Sequence, residues 1–335
     1  MKHRFAIAGY GYIGKRYEQL IQRNTNAELV AICDTQAKEI VYKNEEQYPF
    51  YNNITDLLAA TDFDILAIAT SNKFHAPIAI QALESGKHVI IEKPMGLSVQ
   101  ECQQVIDTAN RVGKQVFCVM QNRYSPPSAW LKETMDSKKL GDIYLVQVNC
   151  YWNRGTEYYT KSTWKGKKEL DGGTLFTQFS HFVDIMYWVL GEIKDPKGTF
   201  ANFNHQHTIE FEDTGSIHFE FKNGGIGTFN YSTSVFECNL ESSMTIIGSK
   251  GTIKIGGQYM NEVSYCNIEG YTMPELAPSN PANDYGTYKG SAANHEYIIQ
   301  NAIETLEGKA SPTTNALEGL KVVEIIEQFY STKNV

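Results

Sequence analysis

The chain has 335 residues, 42% of them apolar and 12% aromatic, with 30 basic and 38 acidic side chains for a net charge of −8. That length predicts two domains, each able to bury its own core, and the composition is far from the polar, aromatic-poor signature of disorder. An acidic balance with no basic stripe excludes nucleic acid as a partner, although a few local Lys and Arg suffice for a small anion. No run of 18 apolar residues and no signal-peptide pattern occurs. The cysteines at 33, 102, 118, 150, 238 and 266 show no CxxC and no zinc spacing. The expectation is a cytoplasmic globular protein with reduced thiols and no membrane association.

In chain order, Phe5–Ala8, Leu29–Cys33, Ile65–Ala69, Val89–Ile91 and Val116–Val119 are short, nearly continuous apolar runs, as strands covered on both faces should be. Helical segments lie between them. Pro77 stands in the first turn of one that Gly86 ends, and Ser98 with Glu101 forms a capping box for another that Gly113 closes. This alternation predicts an α/β, doubly wound parallel sheet over residues 1–121. From 122 to 335 the pattern changes to an α+β domain. It comprises a helix near 128–138, a strand at 143–152, a polar aromatic loop at 153–173 and a helix at 174–190. Strands at 208–211, 215–221, 225–232, 243–247 and 251–255 follow, and helices near 292–307 and 315–331 close the chain. Asn223-Gly224-Gly225 marks a hairpin, and the sheet is expected to be open and largely antiparallel.

Gly9-Tyr10-Gly11-Tyr12-Ile13-Gly14 is GxGxxG, placed between the first strand and a helix with Ile13, Tyr17, Leu20 and Ile21 on one face. Gly9 permits the tight turn, Gly11 lets a pyrophosphate approach the backbone, and Gly14 lets helix and strand pack closely. The helix start, with Tyr12 and Ile13, then offers N–H groups to the phosphates. Asp34, twenty residues after Gly14 at the end of the second strand, would accept hydrogen bonds from ribose hydroxyls and repel a 2′-phosphate. The cofactor predicted is NAD, with NADP disfavoured.

Thr70-Ser-Asn72-Lys-Phe-His75 and Ala82-Leu-Glu-Ser-Gly86-Lys-His-Val-Ile-Ile-Glu92-Lys93-Pro94 resemble the TxNxxH…ALxxGKHVxxEKP segment of the Gfo/Idh/MocA oxidoreductases. The resemblance continues through Gln121-Asn122-Arg123, Trp164-Lys165-Gly166, Gly172-Gly173-Thr174-Leu175 and His181-Phe-Val-Asp184. It implies a Rossmann domain, a second domain with an open sheet, a nicotinamide between them, and reversible oxidation of a sugar or cyclitol hydroxyl. It further implies that Thr70, Asn72, His75, Glu92, Lys93 and Asn122 serve the cofactor, and that Lys93 and a later His handle the proton.

Oxidising a carbinol leaves a proton on oxygen that some group must remove. By position alone, Lys93 at the end of a strand is either that group or a solvated lysine paired with Glu92. On the helix at 174–190, Leu175, Phe179, Phe182, Val183, Met186, Tyr187 and Leu190 form the core stripe, while Thr177, His181, Asp184 and Trp188 share another face. His181 therefore faces solvent or a cleft. Many family members carry Asp or Asn where Thr177 stands, which weakens a simple His–carboxylate relay and shifts weight to Lys93, with Thr177 and His181 as partners in the chemistry. The loop with Arg154, Tyr158, Tyr159, Trp164 and Lys165, together with Arg123, combines aromatic faces for sugar or base with cations for an anion. Alternatively, its aromatics fill a domain boundary. The stretch resembles family members that oxidise the C3 hydroxyl of UDP-N-acetylglucosaminuronic acid in surface-polysaccharide synthesis. An inositol or free-sugar dehydrogenase and a non-catalytic NAD sensor are the rival readings. His205-Gln-His207 would put two histidines on one strand face, but no third ligand is placed, so no metal is expected. Aromatics on both faces of the later strands, with the family habit, predict a dimer or tetramer through the second sheet.

Overall fold

The protein is described by a computed structural model over residues 2–38 and 47–334. It divides into two compact units, residues 1–119 with 295–323 and residues 120–294 with 324–335.

In the first unit, β1 (His3–Ala8), β2 (Ala27–Cys33), β3 (Phe50–Tyr51), β4 (Ile65–Ile68), β5 (His88–Ile91) and β6 (Val116–Cys118) form one sheet in the order β3-β2-β1-β4-β5-β6. All its pairings are parallel. Helices α1 (Tyr12–Arg23), α2 (Ile54–Ala60), α3 (His75–Glu84) and α4 (Val99–Val112) alternate with the strands. Phe5, Ile7, Ile65, Leu66, Val89 and Ile90 are buried, which accounts for the continuous apolar runs. Strand order reverses between β1 and β4, the switch point beyond whose carboxyl ends ligands bind in such sheets. Ser98 caps α4 by accepting from the Glu101 N–H at 3.1 Å, while the Glu101 carboxylate accepts from Leu97 N at 2.7 Å. Gly113 ends the helix at φ 68°.

In the second unit come α5 (Pro126–Asp136), β7 (Ile143–Tyr151), α6 (Thr156–Thr160), α7 (Lys168–Asp171), a π-helical turn (Leu175–Phe179) and α8 (Ser180–Leu190). Strands β8 (Ile193–Ala201), β9 (Thr214–Phe221), β10 (Ile226–Ser232), β11 (Glu241–Gly248), β12 (Gly251–Gly256) and β13 (Glu262–Ile268) follow. With β7 they make a seven-stranded sheet, β13-β12-β11-β7-β10-β9-β8, antiparallel except where β7 meets β10. A hairpin of β14 (Ala282–Asp284) and β15 (Lys289–Ala292) stands apart from it. The inner face carries Val146, Val148, Phe219, Phe229, Met244 and Ile246, all buried. The outer face of the central strands is a polar ladder. Ser216 donates to Asn230 at 2.7 Å, and Asn230 donates to Asn149 at 3.1 Å. Apolar side chains on that face lie towards the strand ends, with Leu145, Ile247 and the exposed Ile226 at one and Tyr151 and the exposed Phe203 at the other.

Three expectations change. The segment 208–211 is no strand, because the Asp213 carboxylate accepts backbone N–H groups from Phe203 and Asn204 and folds 202–213 into turns. His205 and His207 therefore share no strand face. Strand β8 went unread because Pro196 breaks its pattern. It is an edge strand, where a missing N–H is tolerated, and it bulges between Lys194 and Lys197 with Asp195 at φ 51°. The C-terminal stretch also does not belong wholly to the second unit. Helix α9 (His295–Leu306) buries Ile298, Ile299, Ala302 and Ile303 within the first unit, and Thr314 bonds the backbone of Cys118 there. The last helix, α10 (Ala316–Ser331), is split between the units at residue 323.

Among the described residues no helix is long and apolar enough to cross a membrane, and no group of three or more His, Cys, Asp or Glu could hold a metal ion.

His88 Nδ1 accepts from Gln115 N at 3.0 Å. Burial, with Lys114 nearby, lowers its pKa from 6.5 to about 4. The unfolded chain takes up this proton more readily, so stability present above pH 6.5 is lost as pH falls towards 4. His88→Asn, whose carbonyl can accept the same bond without titrating, should lose less melting temperature than the wild type between pH 7 and 4.5.

Candidate functional site

The glycine loop is built by close approach of backbone. A Cβ on Gly9, which sits at φ 89°, would lie 2.5 Å from Ala69 O, and one on Gly14 would lie 2.1 Å from Gly9 O. A Cβ on Gly11 would meet nothing within 4 Å. The first and third glycines thus serve packing, and the second leaves room for a ligand to reach the backbone where α1 begins. Tyr12 is exposed and Ile13 half-buried at that helix start. The Asp34 carboxylate follows β2. One oxygen accepts from Tyr10 N at 2.7 Å and the other from Gln36 N at 2.8 Å. Both oxygens keep lone pairs for hydroxyl donors. These features fit a dinucleotide: phosphates against Gly11 to Ile13, and a ribose at Asp34.

Thr70, Asn72 and His75 follow β4, and Glu92 and Lys93 follow β5. The buried His75 ring bridges the two ends, with Nδ1 2.7 Å from Pro94 O and Nε2 3.0 Å from Thr70 O. Asn72 is buried and Lys93 half-buried. Glu92 points into the unit, where its Oε1 accepts from Tyr17 Oη at 3.0 Å and pairs with His295 Nε2 at 3.2 Å. Burial would raise the Glu92 pKa. The hydrogen bond from His295, with the charges of His295 and Lys93, reverses this and holds it below the ordinary value.

In the second unit His181 is buried, at 3% exposure, with Nε2 3.3 Å from the Gln121 amide nitrogen. It does not face solvent as one branch of the helical pattern allowed. The Thr177 hydroxyl donates to the buried carboxylate of Asp171, whose other oxygen accepts from Gly166 N at 2.8 Å. Six residues upstream in sequence, Asp171 thus supplies a carboxylate beside Thr177. Asn122 accepts from Ser291 Oγ at 2.5 Å, while its buried amide nitrogen has no partner among the described residues.

Arg123 corrects an expectation. Its guanidinium is buried against Asp184, with Nε 2.9 Å and a terminal nitrogen 2.6 Å from the carboxylate, and it lies 5.0 Å from the Trp188 ring. Breaking such a pair typically costs about 3–5 kcal/mol, so Arg123 is a structural tie and not an arm for substrate. Asp184 and Trp188 are its partners on the face that carries His181.

Arg154 is also buried, but among neutral groups. It donates to Gln178 Oε1 at 2.8 Å, Asn153 O at 2.6 Å, Asn239 Oδ1 at 3.2 Å and Lys289 O at 3.2 Å. The rings of Trp152, Tyr158 and Tyr288 lie 4.7, 5.3 and 5.0 Å from it, and burial lowers its pKa. Lys165 sits 3.8 Å from the Tyr158 ring centre and donates to Tyr288 Oη at 3.3 Å. Among the described residues no carboxylate pairs with either cation. Burial pushes the Tyr158 phenol up to about 12. Tyr159 is buried against His205, at 5.1 Å, and Trp164 is half-buried next to Lys165. His205 itself bridges Asp213 Oδ2, at 3.1 Å, and Arg154 O, at 2.7 Å. Sequence reasoning missed Tyr288, Gln178 and Asn239 here. The aromatic pair flanking Gly286, Tyr285 and Tyr288, was the available signal, and the two rings stack at 4.8 Å in the β14–β15 hairpin.

Residues 3–120 match the model of an oxidoreductase family with an NAD-binding Rossmann fold, and residues 129–254 match the GFO/IDH/MocA C-terminal domain. The WlbA dehydrogenase of Bordetella pertussis, solved in complex with NADH and UDP-GlcNAcA, is 31% identical over 99% of this chain and 96% of that one, with a TM-score of 0.87. The chain belongs to the Gfo/Idh/MocA oxidoreductases. Its first unit is the family's NAD-binding Rossmann fold. Inositol 2-dehydrogenase of Salmonella typhimurium is 29% identical over 210 residues, 61% of this chain and 58% of that protein, so the match spans less than two thirds of that relative. D-glucoside 3-dehydrogenase of Escherichia coli is 27% identical over 67% of this chain and 68% of its own length.

Gly11→Ala should lower stability by at most about 1 kcal/mol yet weaken NAD affinity more than about tenfold, or ~1.4 kcal/mol. Gly14→Ala should destabilise by about 1–3 kcal/mol. Thermal melts and calorimetric titration separate the two effects.

Proposed function

We propose that the protein is an NAD-dependent dehydrogenase of a secondary sugar hydroxyl, and that its substrate is an anionic nucleotide sugar of the UDP-GlcNAcA type, oxidised at C3. When bound, the nicotinamide of NAD supplies the acceptor for the hydride. Lys93 takes the hydroxyl proton, and His181, held by Gln121, assists, with Thr177 and Asp171 behind it. The Asp171 carboxylate accepts from the hydroxyl of Thr177, four residues before His181, and so supplies the negative charge that Thr177 itself lacks. The observation that carries the reading is the near-complete match to WlbA. It is supported by Arg154 and Lys165, two cations in one aromatic cluster with no carboxylate partner among the described residues. A neutral polyol would leave that charge uncompensated, while an acidic sugar would offset it. A place in surface-polysaccharide or lipopolysaccharide sugar synthesis follows from the same substrate class. The proposal includes self-association as a dimer or tetramer through the second sheet, whose margin exposes Phe203.

A second reading, a dehydrogenase of inositol or a free sugar, draws on the curated relatives. Incubation with NAD and UDP-GlcNAcA, against myo-inositol and glucose, with absorbance at 340 nm and mass spectrometry for a keto-sugar, decides between them. Oxidation of UDP-GlcNAcA alone is the expected result, and turnover of a neutral sugar instead would overturn the anionic-substrate reading. Lys93→Met should lower turnover on the order of 10²–10⁴-fold with NAD binding retained. An unchanged rate would remove Lys93 from the chemistry, and tight NAD binding without turnover of any sugar would favour a sensor.

A further inference from the structure

The π-helical turn Leu175–Phe179 carries Thr177 and runs directly into α8, which carries His181. A π turn is a rare departure from the helical ladder and needs its surroundings to hold it. Here three consecutive residues at its entry are held from distant parts of the chain. Gly173 sits at φ 135°, and a Cβ there would lie 2.5 Å from Tyr330 Oη. The Thr174 hydroxyl donates to the backbone carbonyl of Glu212 at 2.5 Å. The Leu175 N–H, one of the donors that a helical start leaves without an internal acceptor, donates to Tyr330 Oη at 3.0 Å.

These contacts close on one carboxylate. Glu212 is 5% exposed, and its Oε1 accepts from Tyr330 Oη at 2.7 Å and from Tyr231 Oη at 2.9 Å. Its Oε2 pairs with Lys333, whose ammonium also lies 3.9 Å from the Tyr330 ring centre. The Tyr330 hydroxyl therefore accepts from the turn and donates to a buried anion, while the backbone of that same Glu212 takes Thr174. The Tyr330 ring packs beside Phe176 at 5.9 Å and Phe200 at 6.1 Å. Packing and hydrogen bonding can thus be separated by removing the hydroxyl alone.

From this we propose that Tyr330 and Glu212 are positioning residues for the reaction, fixing the entry of the π-helical turn and so setting where Thr177 and His181 stand. The proposal rests on the reading of His181 as an assistant in proton transfer. The path from the entry is short. Gly173 O accepts from Thr177 N at 3.2 Å, the Thr177 hydroxyl donates to Asp171, and His181 follows four residues after Thr177. A group displaced by about 1 Å from its productive place loses much of its effect on the rate. Tyr330 acts through the turn, and its own partners are the Leu175 N–H and the Glu212 carboxylate.

The test uses the full chain with NAD and whichever of UDP-GlcNAcA, myo-inositol or glucose it oxidises. Tyr330→Phe keeps the ring and removes only the hydroxyl. It should lower kcat about tenfold with KM for the sugar within about twofold, because placement is lost and binding is kept. In a His181→Ala background the same change should alter kcat by less than about twofold, since the group it positions is gone. A merely structural role would give the same fractional loss in both backgrounds. Glu212→Gln keeps an oxygen for both phenols and should hold kcat within about threefold of wild type, while Glu212→Ala should fall about tenfold, as Tyr330→Phe does. If Glu212→Ala does not fold, Tyr330→Phe in the two backgrounds decides alone. Amide hydrogen exchange in the free chain needs no sugar, and Tyr330→Phe should speed it about tenfold at Leu175. Unchanged exchange there, an unchanged kcat, or equal losses in the two backgrounds would overturn the proposal. Full turnover in His181→Ala alone marks the different failure, that of the His181 reading, and takes this proposal with it.

Discussion

Backbone packs directly on backbone where β1 passes into α1, and the rest of the first unit depends on that closeness. Gly14 lies against the carbonyl of Gly9, and Gly9 lies against Ala69 at the end of β4. Any side chain at either position would push the helix off the strand or the first strand off its neighbour. The same contact draws the ends of β1 and β4 together at the switch point, where the open side of Gly11 and the carboxylate of Asp34 stand at the ends of adjacent strands. The residues after β5 then inherit a fixed rim, and Lys93 is placed by sheet geometry before any side chain acts on it.

The second unit solves a different problem, which is how to keep charge inside an apolar sheet-and-helix core. Arg123 is neutralised by Asp184. Arg154 is held by carbonyl oxygens, amide oxygens and ring faces, with no opposite charge among the described residues. Both are arginines, as suits buried guanidinium groups with several fixed donors, yet only the second leaves its surroundings positive. The difference separates a structural tie from a region suited to an anion.

Much of this was legible in the sequence. The continuous apolar strands, the glycine loop, Asp34 and the caps at Ser98 and Gly113 fall where the periodicity and turn chemistry put them, because each is a local property. The misses are non-local. Pro196 hid β8 because edge position excuses a missing N–H, and edge position is not written in the strand itself. Arg123 looked like an anion binder because Asp184, sixty-one residues away, is brought to it only by the fold. His181 stood on the polar face of a helical pattern, but a face holding an ion pair is buried as thoroughly as an apolar one. Asp171 accepts from the Thr177 hydroxyl across a turn, a pairing that the helical pattern at 174–190 did not announce.

The central claim is that this chain removes hydrogen from C3 of an anionic UDP-sugar. It is tested most directly by a single turnover with UDP-GlcNAcA deuterated at C3 and one equivalent of NAD. The account predicts a slower absorbance rise at 340 nm than with the unlabelled sugar, and recovery of the deuterium in the nicotinamide. An equal rate with no label in the nicotinamide would contradict it.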